Sequence, residues 1–327
     1  MSSTSGVRRG IYQSRLARRI ARWLDALPHP LLACEIAPGY VAAARWARRG
    51  TGLDGFAVES LPDGAIVPSA VETNLTDAAA VRAAVGRAFA RLHAKGQELA
   101  LLIPDTVIRV FVLHFDSFPR TASEAIPMLR WKLKKSVPFE PEETLVSYMR
   151  QAPREEGVDI VTGLARMRIV REYEMLVESA GMSPAVVMSS TLAALALLDD
   201  RRATMLARVS GSTLTTAIVR DGVLCGYRCT ELASDWPRLT PQALLDEIYP
   251  VAAYYQDTWR EGIQAVRLAG LAERTEEFRR PLESELRCPV AGLLATASSE
   301  GRIPSPVRPL AERQLEALIG WSMNRGG

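Results

Sequence analysis

The sequence predicts an α/β fold made of two similar lobes, and two observations carry that expectation. A hydrophobic strand that runs into a short turn and straight back out occurs twice, at residues 31–46 (LLACEIAPGYVAAARW) and 205–219 (MLARVSGSTLTTAIV). A third strand follows each copy, over 52–60 and 222–229, and a long amphipathic helix comes after each. A unit repeated in this order sets a cleft between two facing turns. Backbone N–H groups in a tight turn form a concavity that binds anions.

Periodicity and chain punctuation give the elements in order. Residues 11–27 (IYQSRLARRIARWLDAL) place Tyr12, Leu16, Ile20, Trp23, Leu24 and Leu27 on one helical stripe with arginines opposite, and Pro28 and Pro30 end that helix. In the first lobe Thr76 is the expected cap of a helix over 77–95. Residues 98–104 (ELALLIP) read as a buried strand, and 106–115 (TVIRVFVLHF), alternating and β-branched, as the next. A helix over 121–136, with Pro127 early in it, runs into LRWKLKKSVPFEPEE (129–143). Strands over 144–150 and 158–165 flank a polar turn at 153–157, so about 99–165 reads as a small subdomain mounted on the first lobe. A helix over 170–180 stops at Gly181. A strand at 184–188 follows, then an apolar helix over 189–198 expected as the hinge. The second lobe continues with a helix at 240–259, a strand at 265–269, a helix at 274–286 and a strand at 288–293. Residues 304–327 read as a Pro-rich stretch with one short helix. The expected domains are a basic tail and helix over 1–30, the first lobe over 31–202, and the second lobe with a C-terminal tail over 203–327.

Composition excludes several function classes. A net charge of +3 over 327 residues is too near neutral for a nucleic-acid-binding domain. The four cysteines (Cys34, Cys225, Cys229, Cys288) form no CxxC pair and sit mostly in apolar runs, the pattern of buried free thiols. His29, His93 and His114 are too widely spaced to suggest a zinc site. No apolar run approaches the roughly 20 residues that span a bilayer. Arg8, Arg9, Arg15, Arg18, Arg19 and Arg22 interrupt any signal-peptide core, so a cytoplasmic chain is expected. The basic amphipathic helix over 11–27 suits an anionic membrane surface, and it equally suits docking on its own protein or a partner.

Five stretches then coincide in order: ACEIAPGYVAAARW (33–46), LRWKLKKSVPFEPEE (129–143), AGMSPAVVMSSTLAALAL (180–197), ARVSGSTLTTAIVRDGVLCGYR (207–228) and VRLAGLAE (266–273). Together they resemble the PilM-like proteins, cytoplasmic actin-like components of type IV pilus assembly, over about 31–293. The resemblance implies an actin-like fold: two duplicated ribonuclease H-like lobes with a small subdomain inserted in the first. It further implies a nucleotide site formed by Glu35 and Gly39 on the first turn, Ser210, Gly211, Ser212 and Thr213 on the second, and Gly270 at an adenosine turn.

The departures from the family pattern decide the expected chemistry. Glu35 stands where an aspartate approaches the metal, and could reach it through water. Pro38 removes an N–H donor, Tyr40 is bulky where a phosphate needs room, and Ala42 replaces a lysine. Arg208 replaces an acidic residue, Ser210 a glycine and Thr215 an aspartate; Ala269 and Leu271 flank the single Gly270. An arginine in place of a carboxylate removes a metal ligand and repels the cation, although it could pair with phosphate. The expectation is a degenerate site with no catalytic residue, no metal and no cofactor. The alternative is an actin-like ATPase that uses ATP and Mg²⁺ to close its lobes or to polymerise.

The resemblance also implies a partner, a single-span PilN-like membrane protein, with other pilus platform proteins beside it. Its cytoplasmic N-terminal peptide would lie between the first lobe and the inserted subdomain, against Leu101, Ile103, Val110, Val112, Leu129 and Leu133. That makes the chain a scaffold peripheral to the inner membrane. The remaining features have plain readings. Asp221-Gly222 is a hairpin turn. Glu140, Glu142 and Glu143 form a solvated acidic edge that could receive a basic peptide, and Lys132, Lys134 and Lys135 are surface residues. Ser189, Ser190 and Ser212 lack an ordered histidine and acid, so a serine hydrolase is unsupported. Trp131 and Phe139 read as core.

Overall fold

The structure is a computed structural model that describes residues 29–48, 52–140, 143–153, 157–199, 201–233 and 236–324. The expected N-terminal tail and basic helix lie outside them. The first lobe contains β1 (Leu32–Ala37), β2 (Tyr40–Trp46), β3 (Leu53–Ser60), α1 (Ala78–Arg91) and β4 (Glu98–Ile103). The inserted subdomain follows with β5 (Arg109–Phe115), α2 (Ala122–Leu133), β6 (Thr144–Pro153) and β7 (Val158–Arg166). The lobe then resumes with α3 (Met167–Ser179) and β8 (Ser183–Ser189). After α4 (Ser190–Ala194) the second lobe carries β9 (Thr204–Ser210), β10 (Thr213–Arg220), β11 (Val223–Glu231), α5 (Pro241–Trp259), β12 (Ala265–Ala269), α6 (Thr275–Leu286) and β13 (Val290–Gly292). Three helices close the chain: α7 (Leu293–Ser299), α8 (Arg308–Glu312) and α9 (Glu316–Asn324).

The duplication is visible in the sheet order, β3-β2-β1-β4-β8 in one lobe and β11-β10-β9-β12-β13 in the other. In each, the first three strands are antiparallel and the rest parallel to the central one. The inserted subdomain is an antiparallel sheet of order β5-β7-β6 with a small core around Leu133, Phe139 and Leu164.

Strand alternation sorts the two faces of each sheet. In the first lobe Leu32, Cys34, Ile36, Leu99, Leu101 and Ile103 pack with residues of α1 and α3. The opposite face presents Ala33, Ala42, Ala44 and Ala100, and these small residues leave room for α9. The final helix is therefore core rather than tail. Residues 315–321 are buried between the lobes, and Trp321 has no solvent exposure. A Cβ on Gly320 would lie 2.1 Å from the Ala193 carbonyl oxygen, so α9 crosses α4 at a distance only glycine permits.

Several boundaries differ from the sequence expectation. Asp77 caps α1 by accepting from the Ala80 N–H, and the helix stops at Arg91, just before His93 adopts a φ of 48°. The hinge segment breaks after Ala194 into a 3-10 turn (Leu195–Leu197). The last strand is only three residues long, and α7 takes over what the sequence suggested was its end. Trp131 is 80% exposed, because Ala125, Leu129 and Leu133 at four-residue spacing form the inward stripe of α2 and Trp131 falls off it. Phe139 is buried as expected. Among the described residues no two cysteines are joined in a disulfide. Among the described residues, no helix is long and apolar enough to cross a membrane.

Candidate functional site

The same alternation that builds the cores aims two opposite charges at each other. On β1, Glu35 shares the inward face with Ala33. On β9, Met205, Ala207 and Val209 face the second-lobe helices, which turns Leu206 and Arg208 toward the first lobe. The Arg208 guanidinium donates from Nη2 to Glu35 Oε1 at 3.0 Å, and its Nη1 lies 3.5 Å from Asp105 Oδ2. Both partners are almost solvent-free.

Asp105 sits in a 3-10 turn (Asp105–Val107) directly after β4 and gathers donors from three elements. Its Oδ1 accepts from the Thr191 backbone N–H at 2.9 Å and from the Tyr227 hydroxyl at 3.1 Å. Its Oδ2 accepts from the Thr191 hydroxyl at 2.6 Å and the Thr215 hydroxyl at 3.1 Å. Thr191 belongs to α4, Thr215 to β10 and Tyr227 to β11, so one carboxylate ties the first lobe, the hinge and the second lobe together.

The electrostatics follow from burial and from these partners. Desolvation pulls the Arg208 guanidinium down, but Glu35 and Asp105 more than reverse it, so the group stays charged. Burial, reinforced by Asp105, holds the Tyr227 hydroxyl far above the ordinary phenol range and pushes the Cys229 thiol up to about 12. Glu316, at the first turn of α9, is the fourth charged member. Burial raises its carboxyl to about 7 against the opposing pull of Arg208, with the nearby Glu35 charge adding to the rise. The backbone N–H groups of Glu316 itself and of Gly270 pull the carboxyl the other way.

The two turns expected to face one another do so. A Cβ at Gly211 would stand 3.6 Å from Pro38, which brings the β9–β10 turn against the β1–β2 turn. Gly39 is exposed at its tip, Ser210 and Ser212 are half-buried, and Thr213 is buried. Gly270 has a φ of 74°, and a Cβ there would lie 1.9 Å from the Val209 carbonyl oxygen. Close backbone packing accounts for this glycine without any ligand. Sequence reasoning missed Asp105, Thr191, Tyr227 and Glu316. Two signals were present: an acid directly after a buried strand, and a single acid opening the apolar run LEALIGW.

The residues around this interface do not fit a magnesium nucleotide. Glu35 and Asp105, the carboxylates that could orient a hydrated cation, are already paired with Arg208. The Gly270 turn that would meet an anion has the buried Glu316 carboxyl in its neighbourhood. Among the described residues, no group of three or more His, Cys, Asp or Glu side chains is placed to hold a metal ion.

The six residues expected to line a peptide groove are not brought to one surface. Leu101 and Ile103 point into the first-lobe core, and Leu129 and Leu133 are buried on α2. Val110 and Val112 instead line a groove of about 650 Å³ together with His114, Tyr227, Tyr254 and Trp259. It opens between β5, β11 and α5, on the side of the subdomain that faces the second lobe. β5 and β11 are each the edge strand of their sheet. His114 Nδ1 lies 2.9 Å from Asp159 Oδ1 at the groove wall.

No protein-family model and no curated protein sequence matches the chain. Among solved structures, the chain is similar to one of a PilM-PilN type IV pilus biogenesis complex, at 15% identity and a TM-score of 0.68, covering 91% of this chain and 98% of that one. The cytoplasmic domain of EpsL, an inner-membrane component of the type II secretion system of Vibrio cholerae, aligns at 12% identity and a TM-score of 0.47, over 84% and 95% of the two chains. A protein with an actin-like ATPase fold from Bacteroides thetaiotaomicron aligns at 12% identity and a TM-score of 0.48, over 90% and 97%. The fold is the actin-like one that the resemblance implies, with the two similar lobes that the duplicated motif predicts.

Proposed function

We propose that the chain is a cytoplasmic scaffold of a type IV pilus, or related secretion, inner-membrane platform. Its partner is a PilN-like single-span membrane protein, held through that protein's cytoplasmic N-terminal peptide. The observation that carries this reading is the fold match to a PilM-PilN complex over 91% of the chain. The groove beside β5 supports it: an apolar floor between two edge strands, rimmed by tyrosines, suits an extended peptide that adds to a sheet edge. Other platform proteins are further partners on the same reading, and the basic segment over 11–27 is available to an anionic membrane surface.

Co-purification with the partner tests the proposal. Val112→Asp, on the groove floor, and Tyr254→Ala, at its 73% exposed rim, are expected to abolish capture while far-ultraviolet circular dichroism stays unchanged. Capture that survives both changes moves the peptide off this groove. Failure of the wild-type chain to retain the peptide sinks the scaffold reading itself.

A further inference from the structure

We infer that the interlobe site is blocked by the chain's own Arg208 and takes neither nucleotide nor divalent metal. The Arg208 guanidinium provides the positive charge between the lobes, bonded to the Glu35 carboxylate of the facing strand.

Three independent features carry the inference. First, the cation position is filled covalently. Arg208 bonds Glu35 Oε1 and leans on Asp105, so a Mg²⁺ ion at either carboxylate would sit against a buried positive charge that repels it. Second, a further buried carboxyl, Glu316, is delivered to this interface from a different element, α9, whose flanking residues Leu315 and Ala317 are themselves buried. A triphosphate entering here would meet Glu35, Asp105 and Glu316 with one guanidinium to offset them. Third, the turns that would have to part around a phosphate already lie close, since a Cβ added at Gly211 would stand 3.6 Å from Pro38. The relative placement of the lobes is consequently fixed by an internal ion pair rather than by a ligand.

Amide hydrogen exchange on the full chain tests this. Exchange at Gly39, Gly211 and Gly270 is expected to be the same within about twofold with and without millimolar ATP and Mg²⁺, since a ligand that binds only the folded state protects what it covers. Protection at those three turns that requires both nucleotide and metal overturns the inference. The second arm uses Arg208→Met combined with Glu35→Gln, which removes the pair while keeping the net charge of the cluster. This variant is expected to fold and to exchange at least tenfold faster at the same turns. Unchanged exchange in that variant shows that something other than the ion cluster holds the lobes.

Discussion

The Arg208 guanidinium and the Glu35 carboxylate, 173 residues apart in sequence, meet at 3.0 Å across the lobe interface with only 5% and 0% of their side chains exposed. At such depth the Coulomb attraction is largely offset by the loss of hydration. The pair therefore contributes little against an apolar replacement of the same shape. What it fixes is position: only one relative placement of β1 and β9 satisfies both charges.

That reasoning separates a single from a double substitution. Arg208→Met alone leaves Glu35 and Asp105 buried without their cation and is expected to cost about 3–5 kcal/mol. Adding Glu35→Gln to it should recover at least half of the loss. Urea denaturation of the four proteins in the cycle gives the coupling energy, and a strictly additive result would mean that the two side chains do not sense each other.

Glu316 makes stability pH-dependent with a defined sign. The groups facing it are Arg208, which lowers its proton affinity, Glu35, which raises it, and the N–H groups of Gly270 and its own residue, which lower it. Burial outweighs them and lifts the carboxyl from 4.5 to about 7. Between those values the folded chain holds a proton that the unfolded chain has released, so this group's contribution to stability falls as pH rises from about 4.5 through 7 and is flat above. Glu316→Gln should match the wild type near pH 5 and exceed it at pH 8 by about 1–3 kcal/mol. A difference between the two that does not vary with pH removes Glu316 from the cluster.

Gly320 is a steric prediction. A methyl group there meets the Ala193 carbonyl oxygen at 2.1 Å and that residue's carbonyl carbon at 2.8 Å, backbone atoms that cannot swing aside. Gly320→Ala should push α9 away from α4 and cost about 2–4 kcal/mol, as overpacked and distorted cores do. A melting temperature within about 1 °C of wild type would show that the crossing can relax.

The fold was legible because its signals are local. The strand-turn-strand copies, the helix expected over 240–259 and the strand at Ala265–Ala269 stand in the structure close to where the sequence pattern puts them. The two facing turns followed from the duplication. The site was half legible: Glu35 and Arg208 are visible as departures from a pattern, but the sequence does not reveal that they meet. Asp105 and Glu316 were out of reach for a different reason. Each is positioned by tertiary packing, one by the donors of α4, β10 and β11, the other by a final helix whose apolar residues carry no clean stripe because nearly all of them are buried. The misplaced groove has a related cause. Leu101 and Ile103 lie on the same strand as Leu102, and period-two alternation sends them to the opposite face of the sheet from the surface they were expected to line.

Asp105 gives the sharpest chemical test of the network, because its two oxygens have different neighbours. Asparagine can keep its carbonyl at the Oδ1 position, where it still accepts from the Thr191 N–H and the Tyr227 hydroxyl. Its amide then faces the Thr191 and Thr215 hydroxyls and the Arg208 guanidinium. The hydroxyls can rotate to accept, but the guanidinium cannot, so one donor is set against another in a dry interface. Asp105→Asn should cost about 2–3 kcal/mol. Asp105→Ala should cost more, because the Thr191 N–H would lose its acceptor too. The asparagine change also removes the negative charge that helps hold the Cys229 thiol up at about 12, so that thiol should titrate at lower pH in the variant. The rate of alkylation at Cys229 at mildly alkaline pH, read on the peptide that carries it, reports this in the folded protein. An unshifted Cys229 beside a normal unfolding curve would place the Asp105 charge outside the cluster.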